Sequence, residues 1–197
     1  MAVELRKGSK VNLSKSAGLG EILINLNWSQ PAPKKGLFGG VKSGDSIDLD
    51  LACFVELNDG NKYVVQALGN TFGNLDSPPY VSLDGDDRSG SNSAGENLRI
   101  NGRHIADIKR ILVYTFIYEG AANWQEAAGI VTIKTPGADD IIVRMDEFST
   151  AQKMCAIAAF ENVGGTFSAE KLVQFFNGQQ DMDRAYNWGF RWSAGRK

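Results

Sequence analysis

Acidic side chains gather in two stretches of this sequence, and basic ones are nearly absent from both. Between Asp45 and Asp59 stand five acids (Asp45, Asp48, Asp50, Glu56, Asp59) and no Lys or Arg. Between Asp76 and Glu96 stand five more (Asp76, Asp84, Asp86, Asp87, Glu96) beside the single base Arg88. Carboxylates crowded this way repel one another unless something positive neutralises them, and a divalent cation does so economically. Asp48 and Asp50 are two apart in a run that alternates as a strand, so both carboxylates emerge on one face. The loop Ser82 to Asn97 (SLDGDDRSGSNSAGEN) offers Asp84, Asp86, Asp87 and Glu96, with Ser, Asn and Gly for further oxygens and tight curvature. Hard oxygen donors in a pliable loop suit Ca²⁺, which takes about 6–8 oxygens, better than Mg²⁺ with its strict octahedron. The loop is not an EF-hand: counted from Asp84, the fifth position is Arg88, the sixth Ser89 and the twelfth Gly95. The ordinary alternative is a set of loop residues beside a solvated strand face carrying Asp48 and Asp50. Two base-poor clusters close in sequence favour the cation.

Other chemistry finds less support. One His and two distant Cys cannot build a usual zinc site. His104 stands in the turn-like Asn101-Gly102-Arg103-His104, and Cys53 and Cys155 read as buried, inert thiols. No G-x-S-x-G elbow, Walker A loop or G-x-G-x-x-G fingerprint occurs, so an enzyme is not expected. Lys plus Arg is 21 against 23 Asp plus Glu, a net charge of −2, which suits no phosphate-gripping nucleic-acid binder. Tyr186, Trp188, Phe190 and Trp192 alternate with Asn187, Gly189 and Arg191; such a strip can stack bases, but packing on a core is the favoured reading. The longest largely apolar run, Ile111 to Tyr118, is far short of the roughly 18 residues that span a bilayer. The first residues lack the apolar core of a signal peptide, so a cytoplasmic protein is expected.

The elements that must hold the acids in place read mainly as strands. Alternation runs through Glu21 to Trp28, with Ile22, Ile24, Leu26 and Trp28 on one side. In Ile47 to Leu57, Ile47, Leu49, Leu51, Cys53, Val55 and Leu57 share one face, and Asp48, Asp50, Ala52, Phe54 and Glu56 the other. Asn58-Asp59-Gly60-Asn61 is a hairpin signal before Lys62 to Leu68, and Pro136 to Asp139 is a turn between Gly129–Thr135 and Asp140–Met145. Ile111 to Tyr118, apolar on both faces, suits a central strand. Met154 to Phe160 and Thr166 to Phe176 fit either strand or helix, and short helical pieces are expected at Ala106–Lys109, Trp124–Ala128 and Gln180–Trp188. The fold class that follows is mainly β, an antiparallel β-sandwich with a few short helices, as a single domain over residues 1–197. Pro31 to Gly44 (PAPKKGLFGGVKSG), with Lys34, Lys35, Lys42 and no acid, reads as a mobile surface loop.

Ser46-Ile47-Asp48-Leu49-Asp50-Leu51, followed by Leu83-Asp84-Gly85-Asp86-Asp87-Arg88-Ser89-Gly90, resembles the TerD-domain family of tellurite-resistance and stress proteins. Leu5 to Gly8, Gly95 to Gly102 and Trp188 to Trp192 are most similar to its TerA branch. The resemblance implies a β-sandwich that binds calcium where the two acidic segments meet, without catalysis. Asp48 and Asp50 match the family's D-x-D and Asp86 the Asp of its loop, while Asp87 replaces Asn and Ser89 replaces Thr, both keeping side-chain oxygens. Where the family loop continues into an acidic G-D-D-E run, this chain reads Ala94-Gly95-Glu96-Asn97, which implies one calcium ion or a weaker pair. The expected function is a calcium-binding stress-response protein acting as an interaction module, with other Ter-family proteins and a membrane-embedded partner implied by the resemblance. The second expectation is a calcium-dependent binder at the inner membrane surface, using Lys34, Lys35 and Lys42 beside Phe38. The third is a metal-dependent enzyme on a phosphorylated or nucleotide ligand.

Overall fold

Branched apolar residues that alternate along a strand must meet a second apolar surface, and here two antiparallel sheets meet face to face. The computed structural model describes residues 8–13, 20–29, 34–35, 41–42, 47–85, 95–121 and 123–193. In chain order the first strands are β1 (Lys10–Leu13), β2 (Glu21–Asn27), β3 (Lys34–Lys35), β4 (Val41–Lys42), β5 (Asp48–Leu57), β6 (Lys62–Val65) and β7 (Gly73–Asn74). Then come β8 (Val81–Leu83), β9 (Glu96–Asn101), β10 (Ile108–Glu119), helix α1 (Trp124–Ala127), β11 (Ile130–Lys134) and β12 (Ile141–Arg144). The chain closes with β13 (Met154–Val163), β14 (Thr166–Phe176) and helix α2 (Gln179–Ala185). One sheet has the order β1-β14-β13-β10-β5-β6 and the other β12-β11-β2-β9-β8-β7, while β3 and β4 form a small hairpin.

The inner core is filled from both sides. Ile22, Ile24 and Leu26 of β2 face Leu49, Leu51, Cys53 and Val55 of β5, with Val113 of β10 and Phe160 of β13. A third layer covers the opposite face of the β5 sheet. Ala52, Phe54, Leu112, Tyr114, Phe116 and Phe176 are roofed there by Met182 of α2 and by Trp188. The Phe54 ring lies 5.5 Å from Trp188, 5.0 Å from Phe190 and 5.7 Å from Trp192. The terminal aromatics therefore pack, as expected. They are held by polar latches. The Asp183 carboxylate accepts the N–H of Gly189 at 2.6 Å and of Phe190 at 3.1 Å, and the Trp192 indole N–H at 2.6 Å. Arg110 donates to the carbonyls of Tyr186 (2.9 Å) and Asn187 (3.0 Å) and lies 4.1 Å over the Trp188 ring.

Several expectations shift. The turn expected at Ala106–Lys109 is a 3-10 turn at Gly102–His104, where the Asn101 side chain accepts the Arg103 N–H, and β10 has already begun by Ile108. The last helix stops at Ala185 rather than Trp188, because Asn187 takes a left-handed conformation (φ 54°) and the Trp188 N–H turns back to the Asp183 carbonyl. The undecided segments are both strands, β13 and β14. The loop expected over Ser82–Asn97 is strand at both ends, since Ser82 and Leu83 belong to β8 and Glu96 and Asn97 to β9. Within Pro31–Gly44, Lys34–Lys35 pairs with Val41–Lys42, and the remaining residues lie outside those described.

Entry into β9 demands a glycine. Gly95 has φ +63°, and a Cβ there would stand 2.2 Å from the Leu26 carbonyl oxygen of β2. Gly95→Ala is expected to lower stability by about 2 kcal/mol or more, combining left-handed strain with displaced backbone, as read by urea unfolding. Asp183→Ala strips the acceptor from three N–H groups; a loss of roughly 3 kcal/mol is expected, with the tryptophan emission shifting red as the terminal strap loosens. Glu56 bonds Lys109 at 2.8 Å and Arg110 at 2.6 Å. Burial pushes its carboxyl up, but the two cations outweigh that and hold it below the usual value. Its contribution is thus complete above the unfolded glutamate pKa of about 4.3 and is lost as pH falls through the lower native value. Urea midpoints of Glu56→Gln across that acid range should fall less steeply with pH than those of the wild type.

Candidate metal centre

The expected site begins on β5. Strand parity sends Leu49 and Leu51 into the inner core, and Asp48 and Asp50 to the outer face shared with Ala52 and Phe54. Asp48 stands opposite Glu119 of β10, and Asp50 opposite Phe116. Asp48 is 1% exposed and Asp50 0%, so the alternative of a solvated strand face is overturned. On the same face the outer layer covers Ala52 and Phe54, so β5 is buried on both sides along its length. Burying an ionised carboxylate costs several kcal/mol unless charge or hydrogen bonds compensate, so adjacent buried Asp residues on one face mark a place where positive charge is strongly favoured.

Glu96 brings the second acidic segment to the first. It opens β9 in the opposite sheet, opposite Leu26 of β2, and is 2% exposed. β6 runs beside β5 only from Cys53 to Glu56. Upstream, at Leu51, the acceptor is a side chain: Glu96 Oε2 takes the Leu51 N–H at 2.8 Å. Asn25 and Asn97, paired across β2 and β9, sit next to it, with Asn25 Nδ2 donating to Asn97 Oδ1 at 2.9 Å. Asp84 is placed differently. Arg99 Nε donates to both of its carboxylate oxygens at 2.8 Å and the same guanidinium also reaches Glu21. Asp86, Asp87 and Ser89 lie outside the described residues.

The donor chemistry fits a hard cation. Carboxylates are the donors at this corner, Asn25 and Asn97 lie on the other face of the β2–β9 pair, and the softer ligands are elsewhere. Cys53 is in the inner core, where burial pushes its thiol far up, and Cys155 is buried in the same core. His104 bonds Asp107 at 2.9 Å and stacks on Tyr80 at 4.1 Å. Among the described residues no group of three or more His, Cys, Asp or Glu is disposed to hold a metal by itself. Asp48, Asp50 and Glu96 would therefore need oxygens from beyond the described residues to complete a shell of about 6–8.

The outer face also carries a buried polar bridge to the C-terminal layer. Gln66 Oε1 accepts the Tyr114 hydroxyl at 3.2 Å, and Gln179, the first residue of α2, donates to that hydroxyl at 2.7 Å. Burial raises the Tyr114 pKa well above the usual value, the Gln179 bond opposes it, and the charge of Asp50 adds to the rise. Sequence reading missed three contributors: the Leu51 amide, the Gly95 approach and the Arg99 grip on Asp84. A glycine immediately before an acid, Gly95-Glu96, was the one available signal. A surface cleft of about 740 Å³, lined by Lys62, Arg184, Phe190 and Trp192 among others, lies beside the terminal strap. No helix among the described residues is long and apolar enough to cross a membrane.

Comparison with known proteins agrees with this architecture. The TerD domain model matches residues 1–139. The chain is 49% identical over 188 residues to the tellurium resistance protein TerA of Alcaligenes sp., covering 95% of this chain and 56% of that protein. It is 25% identical over 112 residues to the stress response protein SCP2 of Bacillus subtilis (strain 168), covering 56% of this chain and 54% of that protein. The chain thus spans little more than half the length of either relative. Among solved structures, a homologue of the telluride resistance protein TerD from Streptomyces coelicolor A3(2) shares the fold. Its TM-score is 0.60 at 16% identity, over 84% of this chain and 95% of that one. With a family model covering most of its length and a close relative spanning nearly all of it, the chain belongs to the TerD-domain family of tellurium-resistance and stress-response proteins.

Proposed function

We propose that the chain is a calcium-binding, non-catalytic interaction module of the tellurium-resistance and stress response. The observation that carries the reading is the burial of Asp48 and Asp50 on one face of β5, with Glu96 turned to the same stretch of backbone. Asp48 and Asp50 would hold the ion together with Asp86 of the acidic loop, which matches the family's motif, and with Asp87 and Ser89, which replace its Asn and Thr and keep side-chain oxygens. Asp84 serves mainly as the partner of Arg99. Bound calcium supplies positive charge to a base-poor region. The chain's part is to hold the carboxylates rigidly and to present loops whose local charge changes sign on filling, a surface that a partner can read. Other Ter-family proteins and a membrane-embedded partner are the interactions proposed from kinship, and the cytoplasm is the proposed compartment.

A second reading rests on the β3–β4 hairpin, whose register sets Lys34 opposite Lys42 with Lys35 adjacent. Three lysines at roughly 1 kcal/mol each on anionic lipid make a weak membrane anchor. Co-sedimentation with phosphatidylserine vesicles, with and without calcium, separates this from the first reading; absence of pelleting under both conditions removes it.

Calorimetric titration of calcium into chelator-stripped protein tests the main reading. Binding with a constant of about 10⁻⁷–10⁻⁵ M is expected, weakened at least tenfold in Asp48→Asn, Asp50→Asn and Asp86→Asn. Saturation near 100 times that constant should add about 2.7 kcal/mol of stability. A wild type that gives neither heat nor a shift in melting temperature overturns the proposal.

A further inference from the structure

We infer that Glu96 is a positioning residue, a carboxylate staple that fastens the start of β9 to the edge of β5 through the Leu51 amide, and not itself a ligand of the ion. The inference rests on the calcium reading above and reassigns one of its acids. Three observations carry it. Glu96 Oε2 lies 2.8 Å from the Leu51 nitrogen, and Leu51 is the residue that follows Asp50. The two residues belong to different sheets, so this bond is a direct polar tie across the sandwich at its acidic corner. Gly95, whose place allows no Cβ, seats the backbone just before Glu96 against the Leu26 carbonyl. Both the side chain and the backbone are thus committed at the point where the acidic loop enters β9.

The physical consequence is preorganisation. A loop that must bring oxygens to Asp48 and Asp50 loses less conformational freedom on binding if one end is already fixed beside them. A hydrogen-bonded carboxylate does this without coordinating the ion, and a neutral amide oxygen can accept the same N–H. That distinction makes the role testable, because a ligand and a staple respond differently to Glu96→Gln.

Hydrogen exchange at the Leu51 amide and calcium calorimetry should be measured together for the wild type, Glu96→Gln, Glu96→Ala and Asp50→Asn. In chelator-stripped protein the Leu51 amide should be protected in the wild type and in Glu96→Gln, and should exchange at least tenfold faster in Glu96→Ala. Calcium affinity should stay within about threefold of wild type in Glu96→Gln and fall tenfold or more in Glu96→Ala. If Glu96→Gln loses as much affinity as Asp50→Asn, Glu96 is a ligand and the inference is overturned. Equal Leu51 protection in Glu96→Ala overturns it as well. A wild type that takes up no calcium, with Leu51 protection still following the expected order, sinks the calcium reading and leaves the staple standing.

Discussion

A ten-residue strand that is buried on both faces needs an apolar layer on each side, and β5 imposes that requirement on the whole molecule. The β2 sheet covers one face, as in any sandwich. The other face would ordinarily meet water, and here it meets Met182, Trp188 and the half-buried aromatics that follow. The C-terminal segment is therefore a structural layer. Its own polar groups must then be satisfied, which explains why a buried aspartate, an arginine and the backbone carbonyls around them are arranged as latches. Remove the strap and Phe54, Tyr114 and Phe116 lose their roof; remove the aromatics beneath and the strap has nothing to rest on.

The same constraint sharpens the meaning of the acids on that face. Glu56, Asp50 and Asp48 share one side of β5, but the two ends of the strand handle charge differently. Glu56 is matched at once by Lys109 and Arg110, and its lowered pKa records the match. At the other end neither β5 nor the Asp76–Glu96 stretch contributes a base other than Arg88. Paired ion bridges close one end of the strand, and the other end carries the two aspartates. All three side chains are buried, and the ion pairs of Glu56 mark it as a structural carboxylate.

Legibility in the sequence followed from how cleanly one face differs from the other. β2 shows its alternation because Ile22, Ile24 and Leu26 point inward while its other face is only half covered. β13 did not, since Ile157 and Ala158 both enter the inner core while Ala156 and Ala159 face outward, across a bulge that costs the strand its period. On β14 two residues, Leu172 and Val173, oppose Ile157 there, and Val173 takes a strained φ of 48°. β9 hid for another reason. Its ENLRIN has Leu98 and Ile100 as its only apolar side chains, and the inward position before them is taken by a charged Glu96. Sequence patterning reads an acid as solvent-facing, so the residue that ties the two sheets together looked like part of a loop. The D-x-D pair, by contrast, was readable as one-faced from spacing alone, but its burial was not, because an acid on a strand reads as solvent-facing.

The outer face of β5 also connects physically to the C-terminus. Asp50 and Tyr114 lie on the same face of neighbouring strands, and the charge on Asp50 raises the pKa of the buried hydroxyl. The hydroxyl in turn is held by Gln66 and by Gln179 at the start of α2. In a region this dry each of those bonds is stronger than it would be in water and costly to leave unmade. The strand that carries the aspartates and the C-terminal layer thus meet on the face of β5 that a simple two-layer sandwich would have left to solvent.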